Sequence, residues 1–387
     1  MLAKRALKII FQDSSRFLQI FLQQIILSLL YIIMGSFLHI LSLNVGMSST
    51  LAGLTNLLCT ENIDIALLQE VRSSEEDINS LVNSFGFESR VNIDKDAPTK
   101  PGTAVIWGKS VEVQDVISLT TGRIQVMLLK SCVVVNIYTP SGSYKRQERA
   151  SFFSEDVFQA LHMFPESRLV LGGDFNCILS PLDVENGFGY NQKMCMTLKD
   201  LVSSHNLLDA FRISSPRVEE FTFFRPGKAP SRLDRFYVSQ CFSSSDARHV
   251  PSLSDHSAVI LKIKAKNNVH KQIKRGRTTY WKLNTAILED DEFMPSFKQF
   301  WHDVSSSKND FTDIAEWWDL LAKPNIKGFC IEFSKIMRKR RNDTVRFLHS
   351  CLKLALEEKN WSEVARIKGE LHKIFLKDTL GIIIRSR

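Results

Sequence analysis

The stretch Leu169-Val170-Leu171-Gly172-Gly173-Asp174-Phe175-Asn176 runs three apolar residues into two glycines, then sets an acid and an amide one residue apart. The apolar run is too short for an independent helix and predicts a buried strand. Gly172 and Gly173 are expected to let the backbone leave the sheet edge and come close to a ligand. Side chains two apart in an extended segment share a face, so Asp174 and Asn176 are expected to point into one cleft. A carboxylate beside an amide orients a water and holds an oxyanion near a hard cation. Alone, the stretch is as compatible with a turn stabilised by an Asp side chain. Its weight depends on matching pieces elsewhere in the chain.

Such pieces are present on both sides. Upstream, Phe37 to Val45 reads as a buried strand ending at Asn44, and Ser48, Ser49 and Thr50 start a helix carrying Leu51, Leu54, Leu57 and Leu58. Ile63 to Leu68 forms another apolar strand that delivers Gln69-Glu70. Gly102 to Trp107 is a third strand, residues 111–119 and 123–130 pair as a hairpin, and Val133 to Tyr138 is a buried strand stopped by Thr139-Pro140. A helix with Phe152, Phe153, Val157 and Leu161 leads into the central strand. Downstream come a Gly/Asn-rich loop (180–191) and a helix through Met196, Leu198, Leu201 and Val202. Two short strands follow, Phe221 to Phe224 and Leu233 to Val238, with Thr222 and Asp234 as their polar members. Ser254-Asp255-His256 then runs into a strand over 258–263.

Strand and helix alternate, and a polar residue closes strand after strand, which is how α/β folds deliver active-site groups. Taken singly, each polar residue has an ordinary explanation: Asn44 as a turn former, Glu70 as a helix cap, His256 as a structural histidine. The set carries the argument. Asn44, Glu70, Tyr138, Asp174 with Asn176, Asp234, and Asp255 with His256 stand at separate strand ends, and each type binds metal or phosphate. Asp preceding His can also fix a tautomer and raise basicity.

The 387 residues are 44% hydrophobic and 24% charged, an ordinary globular composition with ample core. The formal charge of +8 is uneven, with 23 Lys+Arg against 16 Asp+Glu from Asn267 onward and 27 against 26 before it. A polyanion-attracting field is therefore expected from the C-terminal third. The seven cysteines (59, 132, 177, 195, 241, 330, 351) are scattered and never spaced as C-x-x-C. That predicts free thiols in a reducing compartment and argues against a zinc module. Residues 1–36 hold an apolar stretch from Phe17 to Met34, interrupted by Gln19, Gln23, Gln24 and Ser28. No A-x-A site follows for a signal peptide. The glutamines make a membrane anchor of about 20 apolar residues marginal. A leader outside the fold is the expectation.

The strings SLNV (42–45), LLQE (67–70), GTAV (102–105), NIYTPSG (136–142), GGDFN (172–176), RLDRFYVS (232–239) and SDHSAV (254–259) resemble, in order, the endonuclease/exonuclease/phosphatase superfamily. Within it, they are most similar to the apurinic-endonuclease-like domain of non-LTR (LINE-type) retrotransposons. The resemblance covers residues 37–265 and implies a four-layer α/β/β/α sandwich of two mixed sheets flanked by helices. It also implies roles. Glu70 is the principal Mg²⁺ ligand, with Asn44 beside it and Asp255 at the metal or just behind it. Asp174 orients and deprotonates the attacking water, and Asn176 holds a phosphate oxygen. His256 stabilises the pentavalent transition state, oriented by Asp234, and Tyr138 contacts phosphate. Thr222 and Ser254 are candidates for substrate contact. Carboxylates and amides without paired Cys or His favour Mg²⁺, with Mn²⁺ as a substitute, over zinc.

After a basic linker (266–279), residues 280–387 are expected to be a helical segment with a basic run, Arg338-Lys339-Arg340-Arg341, that is either a solvated face or a nucleic-acid contact. The strings YWKLN (280–284), EWWDLLAKPNIKGFC (316–330) and GIIIRSR (381–387) resemble the connector that precedes reverse transcriptase in these elements, and no Tyr-x-Asp-Asp string follows. The resemblance thus implies the front of a longer open reading frame. The expected activity is Mg²⁺-dependent nicking of target DNA to leave a 3′-hydroxyl, in the nucleus. Element RNA or a reverse transcriptase region would be further partners of the full-length parent. The competing readings are a repair-type apurinic endonuclease or phosphatase of the same superfamily, and a catalytically dead DNA-binding remnant.

Overall fold

Period-two alternation along the strands builds the layers. On β1 (Ser36–Asn44) and β2 (Ile65–Val71), Leu38, Ile40, Ile65 and Leu67 face inward, while Leu41, Leu43, Ala66 and Leu68 face outward. On β7 (Val133–Tyr138) and β8 (Leu169–Asp174), Val134 and Val170 face inward, and Val133, Val135, Leu169 and Leu171 outward. Each sheet is therefore apolar on both faces and is covered on both, as its near-continuous hydrophobic strands require. In this computed structural model the described residues are 36–46, 49–94, 96–97, 100–165, 167–191, 195–242, 245–265, 281 and 283–386. They fall into two compact units, divided after Lys271. The leader stretch 17–34 and the linker 266–279 lie outside the described residues.

The remaining strands are β3 (Phe87–Asn92), β4 (Gly102–Gly108), β5 (Val113–Ser118), β6 (Ile124–Leu129), β9 (Leu207–Asp209), β10 (Asp234–Ser239), β11 (Asp246–Val250) and β12 (Ala258–Ala265). They form two six-stranded sheets, ordered β11-β12-β1-β2-β4-β3 and β5-β6-β7-β8-β10-β9. Both are mixed: β1 runs parallel to β2 and antiparallel to β12, and β7 runs parallel to β8 with β10 antiparallel beside it. The inner faces share one core around Leu67, Val105, Met127, Val170 and Phe236. Helices Ser49–Thr60 and Glu75–Val82 cover the first sheet through Leu54, Leu57, Leu58, Ile78 and Val82. Ser74 starts the second of these with a capping box, its Oγ accepting from Asp77 N at 3.1 Å. The other sheet is covered by the helical run from Arg146 to His162 and by Met196–Ser204, through Phe152, Phe153, Leu161, Leu198 and Leu201. The result is the expected α/β/β/α sandwich.

Three local expectations need correction. Gly172 and Gly173 serve packing within the fold rather than a ligand. A Cβ on Gly172 would lie 2.3 Å from the Phe236 ring, and one on Gly173, at φ +147°, would lie 2.0 Å from Ile137 O. Phe221 to Phe224 is no strand, only single bridges from Phe223 to Ser231 and His256. Its backbone is divided between two partners, because Thr222 N and Phe223 N donate to Ser231 O while Phe224 N donates to Asp255 O. The cysteines are not all free thiols either: Cys177 and Cys195 are joined in a disulfide that closes the loop after Asn176.

The second unit is helical. In Lys323–Glu357, Val345, Leu348, Leu352, Ala355 and Leu356 are buried at helical spacing. In Trp361–Ser386, so are Val364, Ile367, Leu371 and Phe375. Lys359, at φ +54°, turns the chain between them, and Asn360 Oδ1 accepts from Glu363 N at the second helix start. Ile287, Phe293, Cys330 and Phe333 form a separate small core. Of the basic run, Arg340 pairs with Glu292 at 2.7 Å and Arg341 with Asp378 at 2.7 Å. No helix among the described residues is long and apolar enough to cross a membrane.

Candidate active site

The site lies where the inner faces of the two sheets reach their strand ends. Asn44, Tyr138 and Asp174 are the last inward-facing residues of β1, β7 and β8, and all three are buried. One layer below, a polar ladder joins the sheets: Gln69 Nε2 donates to Ser42 Oγ (3.2 Å) and Asn136 Oδ1 (2.8 Å). Asn136 Nδ2 in turn donates to Leu68 O and Ala104 O, both at 3.1 Å. The sequence does not single out these three residues, although they fall within the strings SLNV, LLQE and NIYTPSG. A fully satisfied buried network of this kind fixes the distance between sheets and so the floor of the site.

Glu70 and Asn176 reach the site by broken alternation. Asn44 pairs in register with Gln69, so strict period two would turn Glu70 away. A bulge between Gln69 and Val71, with Glu70 at φ +56°, swings it back. Asn176 stands at φ +46° rather than in extended backbone, and its N–H donates to Asp174 Oδ1 at 2.9 Å. Both are uncommon conformations for residues with side chains, and strain of this sort collects at functional positions.

The groups converge. Asn44 Nδ2 donates to Glu70 Oε1 at 3.1 Å and to Asp174 Oδ2 at 3.0 Å. The Tyr138 hydroxyl donates to Glu70 Oε1 at 3.2 Å, and Asn176 Nδ2 to Asp174 Oδ2 at 3.0 Å. His256 Nδ1 and Asp234 Oδ2 lie 2.8 Å apart, and Asp234 faces Asp174 across the antiparallel β8–β10 pair. Ligand atoms of Asp174, Asp234 and His256 all lie within 4.8 Å of one another. Around them, Arg123 stacks over the Tyr138 ring at 4.5 Å, and Arg72 approaches Glu70 Oε2 at 3.8 Å.

Asp255 stands apart from that trio. Its carboxylate meets Ser254 Oγ at 3.3 Å and lies beside Gly46, although its charge helps hold up the His256 pKa. Thr222 and Ser254 are engaged with the backbone around the Asp234–His256 pair. Thr222 is 0% exposed, and its Oγ1 accepts from Leu233 N and Asp234 N at 3.0 and 3.1 Å, bracing the start of β10. Buried Ser254 Oγ accepts from His256 N at 3.2 Å. Both hydroxyls position the Asp234–His256 pair, because backbone donors near a buried pair need acceptors of their own.

Burial, then the charge of Asp234, pushes the Asp174 pKa up to about 7 against the pull of His256 and of the Asn176 and Asn44 donors. Burial disfavours charge on His256, yet the Asp234 carboxylate overrides it and raises the pKa to about 10. Burial and the nearby carboxylates of Glu70 and Asp174 raise Tyr138 to about 12, so it stays a neutral donor. The donor set fits a hard divalent cation: Glu70 and Asp174 supply carboxylate oxygens joined through Asn44, with no thiolate among them, while the protonated His256 stands by as a cation rather than a ligand. Asp234 Oδ1 is buried without a hydrogen-bond partner, as suits an oxygen kept for a cation or water. Asn44 presents its amide nitrogen to the carboxylates, while its Oδ1 accepts from Gly46 N at 3.1 Å.

A second cluster holds this one in place. Asp183, in the loop after Asn176, accepts from Arg212 and Arg232 at 2.8 Å and from Arg235 at 3.0 Å. Arg232 also grips Asp209 through two bonds of 3.1 and 2.7 Å. The arginines of the RLDR string thus tie the loop to the strand that carries Asp234.

Residues 41–256 match the Endonuclease/Exonuclease/phosphatase family. Among curated proteins, the uncharacterized 149 kDa protein of transposon TX1 from Xenopus laevis is 26% identical over 345 residues, covering 84% of this chain and 25% of that protein. The chain thus spans about a quarter of that relative's length. Among solved structures, an AP endonuclease from Archaeoglobus fulgidus is similar with a TM-score of 0.50 at 19% identity, over 58% of this chain and 99% of the other. A 3′ phosphatase from Neisseria bound to product DNA hairpin is similar with a TM-score of 0.50 at 21% identity, again over 58% and 99%. These two likenesses concern the fold. Fold, site geometry and the family match agree: the chain belongs to the endonuclease/exonuclease/phosphatase family, and its relatives include a transposon protein.

Proposed function

We propose that the chain is a divalent-metal-dependent DNA endonuclease that nicks one strand and leaves a 3′-hydroxyl to prime copying of a retroelement. The observation that carries this is the hydrogen-bonded cluster joining Glu70, Asn44, Asp174 and Tyr138, with the His256–Asp234 pair beside it. The transposon relative supports the retroelement reading. Chromosomal DNA as target would put the work in the nucleus. Element RNA and a reverse transcriptase region would be the partners within a longer protein.

Glu70 and Asn44 would hold Mg²⁺, or Mn²⁺ in its place, with Asp255 behind them, and the bound ion would supply Lewis-acid stabilisation of the phosphate. The protein's own groups do the rest. Asp174, with its pKa near neutrality, takes a proton from a water aligned opposite the 3′-oxygen. The water oxygen bonds to phosphorus, the P–O3′ bond breaks, and the 3′-oxygen leaves as a hydroxyl after taking a proton. His256, kept cationic by Asp234, balances charge on the non-bridging oxygens, and the Asn176 amide and Tyr138 phenol orient them.

Supercoiled plasmid incubated with the protein and Mg²⁺ should relax to open circles. EDTA should stop the reaction, and a DNA polymerase should extend the nicks directly. Cutting confined to abasic oligonucleotides would instead favour a repair-type enzyme. A DNA gel shift with no cutting in Mg²⁺ or Mn²⁺ would leave a binding module.

A further inference from the structure

The loop between β7 and the helix at Arg146–Ser151 carries an aromatic that the catalytic cluster does not use. Tyr144 is 84% exposed, more than any other large apolar side chain among the described residues. An exposed ring on a floppy loop would mean little, but this loop is braced from beneath. Arg149, only 7% exposed, donates to Pro140 O at 2.7 Å and to Gly142 O at 3.3 Å. Gly142 adopts φ +99°, and a Cβ built there would lie 2.9 Å from Tyr144 Cε1, so the ring rests against the bare glycine. The loop also touches the site directly. Thr139 O accepts from Asn176 Nδ2 at 3.3 Å, and Arg149 feels the charge of Asp174. Exposed Arg146 lies two residues further along the chain.

A solvent-facing ring on a braced loop at the lip of a phosphodiester site, with cations beside it in the chain, is the arrangement that stacks on a nucleobase while the backbone is gripped electrostatically. We propose that Tyr144 stacks on an unpaired base beside the scissile phosphate, so that the protein favours DNA that is locally unstacked. This rests on the DNA-cutting reading above. A continuous duplex hides its base faces, whereas a bulge or a melted step offers one. The contact adds binding in the ground and transition states alike, so it lowers KM without changing kcat.

The test uses the full chain and oligonucleotides with 2-aminopurine either in a single-base bulge or inside continuous duplex. With EDTA present to prevent cutting, the wild type should quench bulge fluorescence more than duplex fluorescence. Tyr144→Ala should lose the quench and weaken bulge binding by roughly ten- to a hundred-fold. Tyr144→Trp should restore both. In Mg²⁺, Tyr144→Ala should raise KM for the bulged substrate and leave kcat in place. The salt dependence of binding should be unaltered in Tyr144→Ala, whereas Arg146→Ala should lower its slope by about one. A Tyr144→Ala protein that quenches and binds the bulge like wild type overturns the stacking assignment, while plasmid nicking by both proteins keeps the endonuclease reading intact. A wild type that binds no DNA overturns both.

Discussion

Asp174 sits between opposing influences: burial and Asp234 favour its proton, while His256 and amide donors favour the charge. A base poised near neutrality follows, and with it a split that separates chemistry from binding. Asp174→Asn and His256→Ala should each lower the nicking rate by about 10²–10⁴-fold, the usual worth of a positioned proton-transfer or charge-stabilising group. DNA binding measured in EDTA should change little. Loss of both together would mean that the variants misfold. Not every one of these residues was equally legible. Asn44, Tyr138 and Asp174 could be read as the last inward members of apolar strands, because period two holds along β1, β7 and β8. Glu70 and Asn176 could be placed at strand ends but not aimed, since their positive φ values break the period and no local propensity announces that. The backbone partners of the Thr222 and Ser254 hydroxyls were not legible, because those N–H groups are brought to them by the tertiary fold.

At the scale of elements, the loop after Asn176 depends on the buried Asp183 with its three arginines. Burial opposes the Asp183 charge, yet Arg235 and Arg232 hold its pKa well below the ordinary carboxylate value. A depressed folded-state pKa stabilises the fold at every pH above the unfolded value near 4, and that contribution is lost as pH falls below it. Asp183→Asn leaves buried guanidinium groups uncompensated and should cost about 3–5 kcal/mol at neutral pH, read from urea midpoints. The variant's stability should also fall less steeply than wild type below about pH 4. An unchanged neutral midpoint would mean that the cluster is worth no more than a hydrated surface pair. Local sequence does not reveal this device. Arg232 meets Asp183 across 49 positions and Asp209 across 23, so nothing nearby in the chain pairs them. The edge strands β3, β9 and β11 were missed for a related reason: they are short or alternate with charge, and their pairing partners define them.

For the whole molecule, each unit buries apolar residues of its own: the sandwich from 38 to 263, and the helical unit from 287 to 375. A fragment spanning 36–265 should therefore unfold cooperatively by itself and retain the nicking kcat of the full chain. Its salt sensitivity should be weaker, because 23 of the 50 basic residues lie beyond residue 266 against 16 of 42 acids. The effect will be moderate, since Arg340 and Arg341 are already paired with Glu292 and Asp378. Arg338 and Lys339 remain the members of the run to meet phosphate. Each cation withdrawn from a phosphate should reduce the slope of log KM against log salt by about 0.9, so a fall of about one to two is expected on removing the helical unit. The same decrease should appear in full-length protein carrying Arg338→Ala with Lys339→Ala. If neither change alters the slope, the basic run is a solvated helical face and the sandwich alone meets the DNA.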